Sequence, residues 1–120
     1  MPIVDVQIVA APTPADAPTQ ALADALGKVF GSAPGRTWVR VQRLPATHYA
    51  ENARALAEGE WPVFVTVLHA RAPQGTARVE ELRAVTAAVA QCLRRPVERV
   101  HVRYAADGAG RQAFGGVLVE

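Results

Sequence analysis

The chain has 120 residues, half of them hydrophobic, and a formal net charge of +2 at pH 7, which suits a single domain with an apolar core. Its basic residues, all arginine except Lys28, are spread along the chain, which argues against a nucleic-acid-binding face. Cys92 is the only cysteine and no apolar run reaches the roughly 18–20 residues that span a bilayer, so we expect a soluble, cytoplasmic protein with no nucleic-acid or membrane partner.

Three elements are predicted in the first half of the chain. Residues 3–9 alternate apolar and polar side chains, which predicts a half-buried strand. Apolar residues at i, i+4, i+7 and i+8 predict an amphipathic helix over about 17–30, with Thr13 or Asp16 as N-cap candidates. Residues 37–44 alternate again and predict a second strand.

The second half repeats the same order after a less regular linker. We predict a loop with one short helix around 49–56 in this linker. A strand that is apolar on both faces follows at 63–70, and a second amphipathic helix is predicted over about 76–94. Residues 99–104 predict a fourth strand, and the Gly-rich end of the chain predicts a short hairpin or an edge strand.

The two halves also resemble each other in sequence. MPIVDVQIVA matches WPVFVTVLHA with the prolines 60 residues apart, and VRVQR matches VHVRY at a shift of 61. A self-match of this length indicates an internal duplication. Within a single domain, 1–120, we predict a first β-α-β unit, a linker, a second β-α-β unit and a tail, at 1–45, 46–61, 62–106 and 107–120.

The fold class expected from this order is α+β. A strand, a crossover helix and a strand in one sheet are parallel and right-handed. Two such units therefore predict a four-stranded mixed sheet with two helices on one face.

Alternation assigns the strand residues to two faces. The residues predicted to face the helices are Val4, Val6, Ile8, Val39, Val41, Phe64, Leu68, Val100 and Val102. The open face receives polar residues together with Ile3, Val9, Val63, Val65 and Val67. A valine-rich open face is poorly suited to water, so we expect another copy of the chain to cover it, in a homo-oligomer with cyclic symmetry.

Metal and cofactor chemistry finds little support in the sequence. His48, His69 and His101 lack the close spacing of metal ligands. Cys92 falls in the second helix and is assigned to packing. Phosphate-binding and dinucleotide-binding motifs are not found, so we expect no metal and no cofactor.

Pro2 is the strongest candidate for catalysis. A proline after the first methionine is common and means little alone. If Met1 is removed, however, Pro2 becomes a terminal secondary amine, and ordinary terminal amines have a pKa of about 7.7–8.0. Apolar surroundings and nearby arginines lower that pKa, and an amine that is neutral near pH 7 can act as a general base.

Four features around Pro2 carry a family resemblance. Pro2-Ile3 opens a strand, Val39-Arg40-Val41 forms the second strand, LHAR ends the third with Arg71, and Phe114-Gly115-Gly116 lies near the end. In this order they resemble the tautomerase superfamily. The unit of the 4-oxalocrotonate tautomerase subfamily is about half this length, and here it looks fused in tandem, as in macrophage migration inhibitory factor, malonate semialdehyde decarboxylase and cis-3-chloroacrylic acid dehalogenase. The resemblance implies a homotrimer.

The resemblance also implies residue roles. Pro2 matches the catalytic proline and would shuttle a proton on a small 2-oxo or 2-hydroxy-dienoic acid. Arg71 would bind the substrate carboxylate, and Arg40, from a neighbouring subunit, would stabilise the oxyanion. Phe114 and Tyr104 would exclude water. Pro62 matches only in sequence, because its nitrogen is an amide and cannot act as a base.

Other outcomes stay open at this point. A decarboxylase of the same superfamily would carry two arginines after the third strand, whereas only Arg71 is present. A dehalogenase or hydratase would need a carboxylate to activate water, and Asp107 and Glu120 are the candidates in the tail. If Met1 is retained, Pro2 is acylated, and a non-catalytic oligomer is the alternative.

Overall fold

Residues 1–11 and 16–120, which the computed structural model of this chain describes, form two α-helices and six strands. In chain order they are β1 (Ile3–Ala10), α1 (Thr19–Phe30), β2 (Trp38–Pro45), β3 (Val63–Leu68), α2 (Gly75–Leu93), β4 (Val100–Tyr104), β5 (Ala113–Phe114) and β6 (Val117–Leu118). Short 3-10 turns lie at Ala46–His48, Glu58–Glu60 and Val97–Arg99.

The first four strands form one mixed sheet in the order β2-β1-β3-β4. β1 is parallel to β2 and β3 is parallel to β4, and the two pairs meet where β1 runs antiparallel to β3. One helix connects the strands of each parallel pair, because parallel neighbours need a crossover connection. The predicted α+β fold, with a mixed sheet built from two β-α-β units, is confirmed.

Both helices cover the same face of the sheet. Leu22 and Leu26 of α1 and Val85 and Val89 of α2 are buried in one core with alternate residues of the strands. The sheet contributes Val4, Val6, Ile8, Val63, Val65, Val67 and Val100 to this core. Each fully buried side chain of this size stabilises the fold by about 1.5–3 kcal/mol relative to an exposed one. This burial fixes which residues of each strand face the helices.

The predicted faces of β3 are wrong by one residue. The sequence repeat places Phe64 and Leu68 toward the helices, but the buried residues of this strand are Val63, Val65 and Val67. In the antiparallel register, Val6 pairs with Val65. The offset of 60 between the two halves matches even-numbered residues of β1 with even-numbered residues of β3. The residues that face the helices, however, are even-numbered in β1 and odd-numbered in β3.

The open face of the sheet is therefore mixed in character. The residues that line a shallow depression on it include Asp5, Gln7, Arg40, Gln42, Phe64, Thr66, His101 and Arg103. Val9, also predicted for this face, is fully buried near the end of β1. Because Val63, Val65 and Val67 face the helices, the open face holds no valine-rich strand that a second copy of the chain must cover, and the expected oligomer needs other support.

The start of α1 differs from the prediction. The helix begins at Thr19. Pro18 occupies the N-cap position, and no side chain caps the helix there. Asp16 is therefore not the N-cap residue. Thr13, the other candidate, lies outside the described residues.

The linker contains no helix over 49–56, a stretch that the structure describes in full. Ala53 has φ of +57°, in the left-handed region that interrupts an α-helix. Glu51 instead accepts hydrogen bonds from the Tyr49 hydroxyl at 2.7 Å and from Arg99 Nη2 at 3.0 Å. These contacts fasten the linker to the residue that precedes β4.

The tail forms the predicted hairpin. β5 and β6 pair antiparallel, with Phe114 opposite Val117. The two residues between them, Gly115 and Gly116, have φ of +55° and +85°. Two consecutive left-handed residues form the turn that suits a two-residue hairpin, and glycine adopts that conformation at low cost. The hairpin carries Phe114 toward the start of β2.

Candidate active site at the amino end of β1

Pro2 lies at the edge of the sheet where β1 begins and β3 ends. Its side chain is fully buried, and its carbonyl oxygen accepts a hydrogen bond from the Trp38 N–H at 3.1 Å. Ile3, the next residue, pairs with Trp38 on one side and with Leu68 on the other. Ile3 is therefore held between the first residue of β2 and the last residue of β3, and Pro2 precedes it at this edge.

The terminal amine next to Pro2 is in an unusual electrostatic environment. The pKa of the Met1 amine is lowered from its ordinary value, first by burial and second by the positive charge of Arg36. Both effects act in the same direction because each disfavours the charged ammonium form. This end of β1 is thus a place where an amine is more easily neutral than in water.

Arg36 is a site residue that the sequence analysis missed. It stands two residues before Trp38, and because Trp38 pairs with Ile3 in the parallel register, Arg36 comes level with the start of the chain. The preceding loop is held by a hydrogen bond between the Thr37 and Ser32 hydroxyls at 2.6 Å. The signal that could have found Arg36 is this register, since a cation just before β2 must lie beside the residue just before β1.

A groove opens beside this end of β1, between the last turns of α1 and the start of β2. This α1–β2 groove has a volume of about 890 Å³ and is lined by residues that include Ile3, Lys28, Ser32, Thr37, Trp38 and Phe114. The Trp38 and Phe114 rings are stacked, with centroids 4.7 Å apart and planes 20° apart. Phe114, predicted as a hydrophobic wall, therefore forms an aromatic wall of this groove together with Trp38.

Arg71 lies at the same edge of the sheet as Pro2, just beyond the end of β3. It is exposed, and its Nη1 donates to the backbone oxygen of Glu120 at 3.2 Å. The neighbouring Ala72 N–H donates to Asp107 Oδ1 at 3.0 Å. Arg71 and Asp107 thus bring a cation and a carboxylate to the edge that holds Pro2.

Arg40 lies on the open face of the sheet. Its guanidinium donates two hydrogen bonds to the Asp5 carboxylate, at 2.6 and 2.9 Å. The hydrogen bond with Asp5, followed by the charge of that carboxylate, raises the pKa of Arg40. The Arg40 side chain is 71% exposed, so within one chain it is available to a neighbouring molecule while Asp5 fixes its orientation.

Tyr104 lies on the helix side, away from the residues that line the α1–β2 groove. Its hydroxyl donates to Glu81 Oε2 at 2.5 Å, and His69 Nε2 lies 2.8 Å from the same oxygen. Burial first, and Glu81 second, raise the pKa of Tyr104 well above its ordinary value. Tyr104 therefore helps to bind α2 to the end of β3, the segment that leads into Arg71.

The remaining histidines have separate surroundings. The His101 ring lies 5.4 Å from that of Phe64 on the open face. Across the described ranges 1–11 and 16–120, no three or more His, Cys, Asp and Glu side chains form a group that could hold a metal ion. Within those same ranges, neither helix combines the length and apolar character needed to cross a membrane.

Comparison with known proteins identifies the fold. The chain matches the Pt0534 protein inactivated by 2-oxo-3-pentynoate with a TM-score of 0.74 and 16% identity, over 97% of this chain and 95% of that one. It matches a macrophage migration inhibitory factor homologue from Prochlorococcus marinus with a TM-score of 0.71 and 18% identity, over 98% and 99%. A fused 4-OT, solved as a symmetric trimer, matches with a TM-score of 0.72 and 20% identity, over 98% of this chain and 94% of that one.

These three proteins are members of the tautomerase superfamily. The chain has the fold of that superfamily. No model of a protein family matches the sequence, and no curated protein matches it either. The likeness is therefore one of the tautomerase fold, and the roles of individual residues have to be argued from the geometry around Pro2.

Proposed function

We propose that the chain is a tautomerase that moves a proton between oxygen and carbon on a small 2-oxo or 2-hydroxy-dienoic acid. Pro2, freed by removal of Met1, is the acid and base in this proposal. One observation carries it: the buried Pro2 stands beside an amine whose pKa is lowered by burial and by Arg36. The same surroundings would keep the Pro2 amine neutral near pH 7, as a general base requires.

The reaction needs no cofactor, because only a proton and electron pairs move. For a 2-hydroxy-2,4-dienoate, the Pro2 nitrogen takes the hydroxyl proton and the O–H electron pair forms the C2 carbonyl. The C2–C3 double bond shifts to C3–C4, and the electrons of the C4–C5 double bond take the proton back from Pro2 at C5. The product is a 2-oxo-3-enoate with the same atoms as the substrate.

The cations at this edge suit an acid substrate. In the proposal, Arg71 binds the substrate carboxylate through its planar guanidinium, which its exposure and its place on the Pro2 edge support. Arg36 would lower the pKa of the Pro2 amine, as it does that of the Met1 amine. The stacked Phe114 and Trp38 exclude water on the groove side, and Tyr104 acts through Glu81 by fixing the segment that carries Arg71.

We further propose a homotrimer in which Arg40 of one subunit reaches the site of its neighbour. The fused 4-OT that shares this fold was solved as a symmetric trimer. Arg40 is exposed on the open face and oriented by Asp5. In the neighbouring site it would stabilise the oxyanion that forms as the proton leaves.

The test is covalent labelling with 2-oxo-3-pentynoate, the inactivator of the structural neighbour Pt0534, alongside a 2-hydroxymuconate ketonisation assay. We expect ketonisation, an intact mass without Met1, and loss of activity as one equivalent of reagent attaches to Pro2. An adduct on another residue, with activity unaffected, would contradict the role of Pro2. Absence of ketonisation in a chain that keeps Met1 would favour a non-catalytic oligomer.

A second candidate is hydration or dehalogenation of a related unsaturated acid. The observation that favours it is Asp107, whose carboxylate accepts a hydrogen bond from the N–H of Ala72, the residue after Arg71, and could activate water. Product analysis separates these reactions, because hydration adds 18 mass units to the substrate, dehalogenation removes the halogen, and tautomerisation leaves the mass unchanged. Asp107→Asn would abolish hydration while leaving ketonisation in place.

A further inference from the structure

Gly108 is a buried glycine whose backbone does not require glycine. Its φ lies outside the left-handed region that glycine favours, unlike that of six other glycines. Its N–H donates to the His69 carbonyl at 2.8 Å, and its own carbonyl accepts from the N–H groups of Arg111 and Gln112. The reason for a glycine here must therefore be the space around it.

That space is filled by Met1. A Cβ at position 108 would lie 2.5 Å from Met1 Cε, and 3.3 Å from both Gln112 Cβ and the His69 oxygen. The first distance is shorter than any van der Waals contact. The tip of the Met1 side chain therefore packs directly against the Cα of Gly108.

Met1 is also the group that is bonded to the Pro2 nitrogen. Its atoms occupy the direction from which any other molecule must approach that nitrogen. Removal of Met1 consequently opens a space that runs from the Pro2 nitrogen to Gly108, with Gln112 and the His69 carbonyl at its far end. We call it the Met1 space.

We infer that the Met1 space receives the substituent on the substrate carbon that Pro2 protonates, and that Gly108 determines the size of that substituent. The inference rests on the proposed function. A carbon that takes a proton from Pro2 must lie beside its nitrogen, where the Met1 backbone now lies, and a group on that carbon points where the Met1 side chain lies. The preferred substrates are then dienoic acids with a short unbranched alkyl group on C5.

The experiment compares two substrates on the chain and on Gly108→Ala. One is 2-hydroxypenta-2,4-dienoate, with hydrogen on C5, and the other is 2-hydroxyhepta-2,4-dienoate, with an ethyl group there. We expect Gly108→Ala to lower kcat/KM for the ethyl substrate about tenfold or more, since a misfit of one methyl or methylene commonly changes discrimination by about 10–200-fold. The unsubstituted substrate should change less than about twofold.

Gly59→Ala is the matched control. Gly59 lies in the linker, outside the left-handed region, and a Cβ there meets no atom within 4 Å. It should leave both substrates unchanged. If Gly108→Ala lowers kcat/KM equally for both substrates, or for neither, the inference is overturned while the proposed function stands. If the parent chain ketonises neither these substrates nor 2-hydroxymuconate, the proposed function is overturned and the inference with it, whereas ketonisation of 2-hydroxymuconate alone would overturn only the inference.

A substrate series on the parent chain tests the inference even if Gly108→Ala does not fold. A methionine side chain is unbranched, so ethyl should be accepted and an isopropyl group on C5, in 2-hydroxy-6-methylhepta-2,4-dienoate, should lower kcat/KM about tenfold. Equal kcat/KM values for the ethyl and isopropyl substrates would overturn the inference.

Discussion

The two prolines that open β1 and precede β3 have similar backbone positions and different chemistry. Pro2 and Pro62 are both fully buried, and each carbonyl accepts one backbone N–H at 3.1 Å, from Trp38 and Val9 respectively. Each also has an arginine nearby. Arg36 acts on the terminal amine, whereas Arg95 donates to the carbonyls of Trp61 and Val9.

A buried proline at the start of a strand is therefore not sufficient for the proposed catalysis. The nitrogen of Pro62 is part of an amide within the chain. Its neighbouring cation, Arg95, donates hydrogen bonds to backbone oxygens. In the proposed function the start of β1 presents a free amine once Met1 is removed, at a position where Arg36 lowers the pKa of the Met1 amine. Substitutions at the start of β1 should therefore change activity, whereas substitutions around Pro62 should change stability.

The largest expected effect comes from blocking the start of β1. A chain that keeps Met1, produced with methionine aminopeptidase inhibited, should lose about 10²–10⁴-fold in kcat/KM, because an acylated proline nitrogen has no basic lone pair. Its thermal unfolding should match that of the processed chain. Ketonisation assays with intact-mass confirmation measure this, and equal activity of both forms would exclude the Pro2 nitrogen as the base.

Arg71→Ala should raise KM by roughly 10–100-fold, because a charge-assisted pair with the substrate carboxylate contributes about 1.5–3 kcal/mol. Arg71→Lys is the matched control, since it keeps the charge and loses the fork, and it should recover part of the loss. Steady-state kinetics on a monocarboxylate substrate measure both. An unchanged KM in Arg71→Ala would show that another cation binds the substrate carboxylate.

Arg95→Ala tests the opposite end of the sheet. It removes two hydrogen bonds to partly buried backbone carbonyls, so we expect a loss of about 1–3 kcal/mol in the free energy of unfolding. Urea unfolding measures this loss. The kcat/KM of the folded variant should stay at the parent value, and a large loss of activity in a stable variant would contradict a purely structural role.

The smallest effect concerns pH. A neutral amine is the active base, so kcat/KM should rise as the pH increases through the amine pKa. Arg36 lowers the pKa of the Met1 amine, and we expect it to act on the Pro2 amine of the processed chain in the same way, so Arg36→Ala should move this acidic limb to higher pH. Arg36→Lys keeps a positive charge and should leave the limb close to its parent position. A limb that does not move in Arg36→Ala would exclude Arg36 from the site.

The sequence predicted most of the fold because strict alternation and helical spacing are reliable wherever one face is apolar and the other polar. β1 meets that condition, and the helix-facing positions of Val4, Val6 and Ile8 were predicted correctly, although Val9, assigned to the open face, is fully buried. β3 does not, because a strand that is apolar on both faces has no alternation that shows which residues face the helices. The faces of β3 were therefore predicted from the even offset of the repeat. The antiparallel pairing of Val6 with Val65 shows that odd-numbered residues of β3 face the helices.

The candidate site was only partly predictable for a related reason. Pro2, Arg71 and Phe114 stand out in short motifs, so they could be named before any fold was known. Arg36 belongs to no motif and becomes visible only when the register of β1 and β2 brings it beside the chain start. Gly108 is hidden in the same way, since only its contact with Met1 distinguishes it from the glycines of ordinary turns.

The most direct measurement is ketonisation of 2-hydroxymuconate by three chains, the parent, Pro2→Ala and Pro62→Ala, with intact mass confirming loss of Met1 from each. We expect Pro2→Ala to lower kcat/KM, because its primary amine is no longer held in the direction that the proline ring fixes, and Pro62→Ala to keep parent activity at temperatures where it is folded. Equal kcat/KM values for Pro2→Ala and the parent would contradict the central claim that Pro2 is the acid and base.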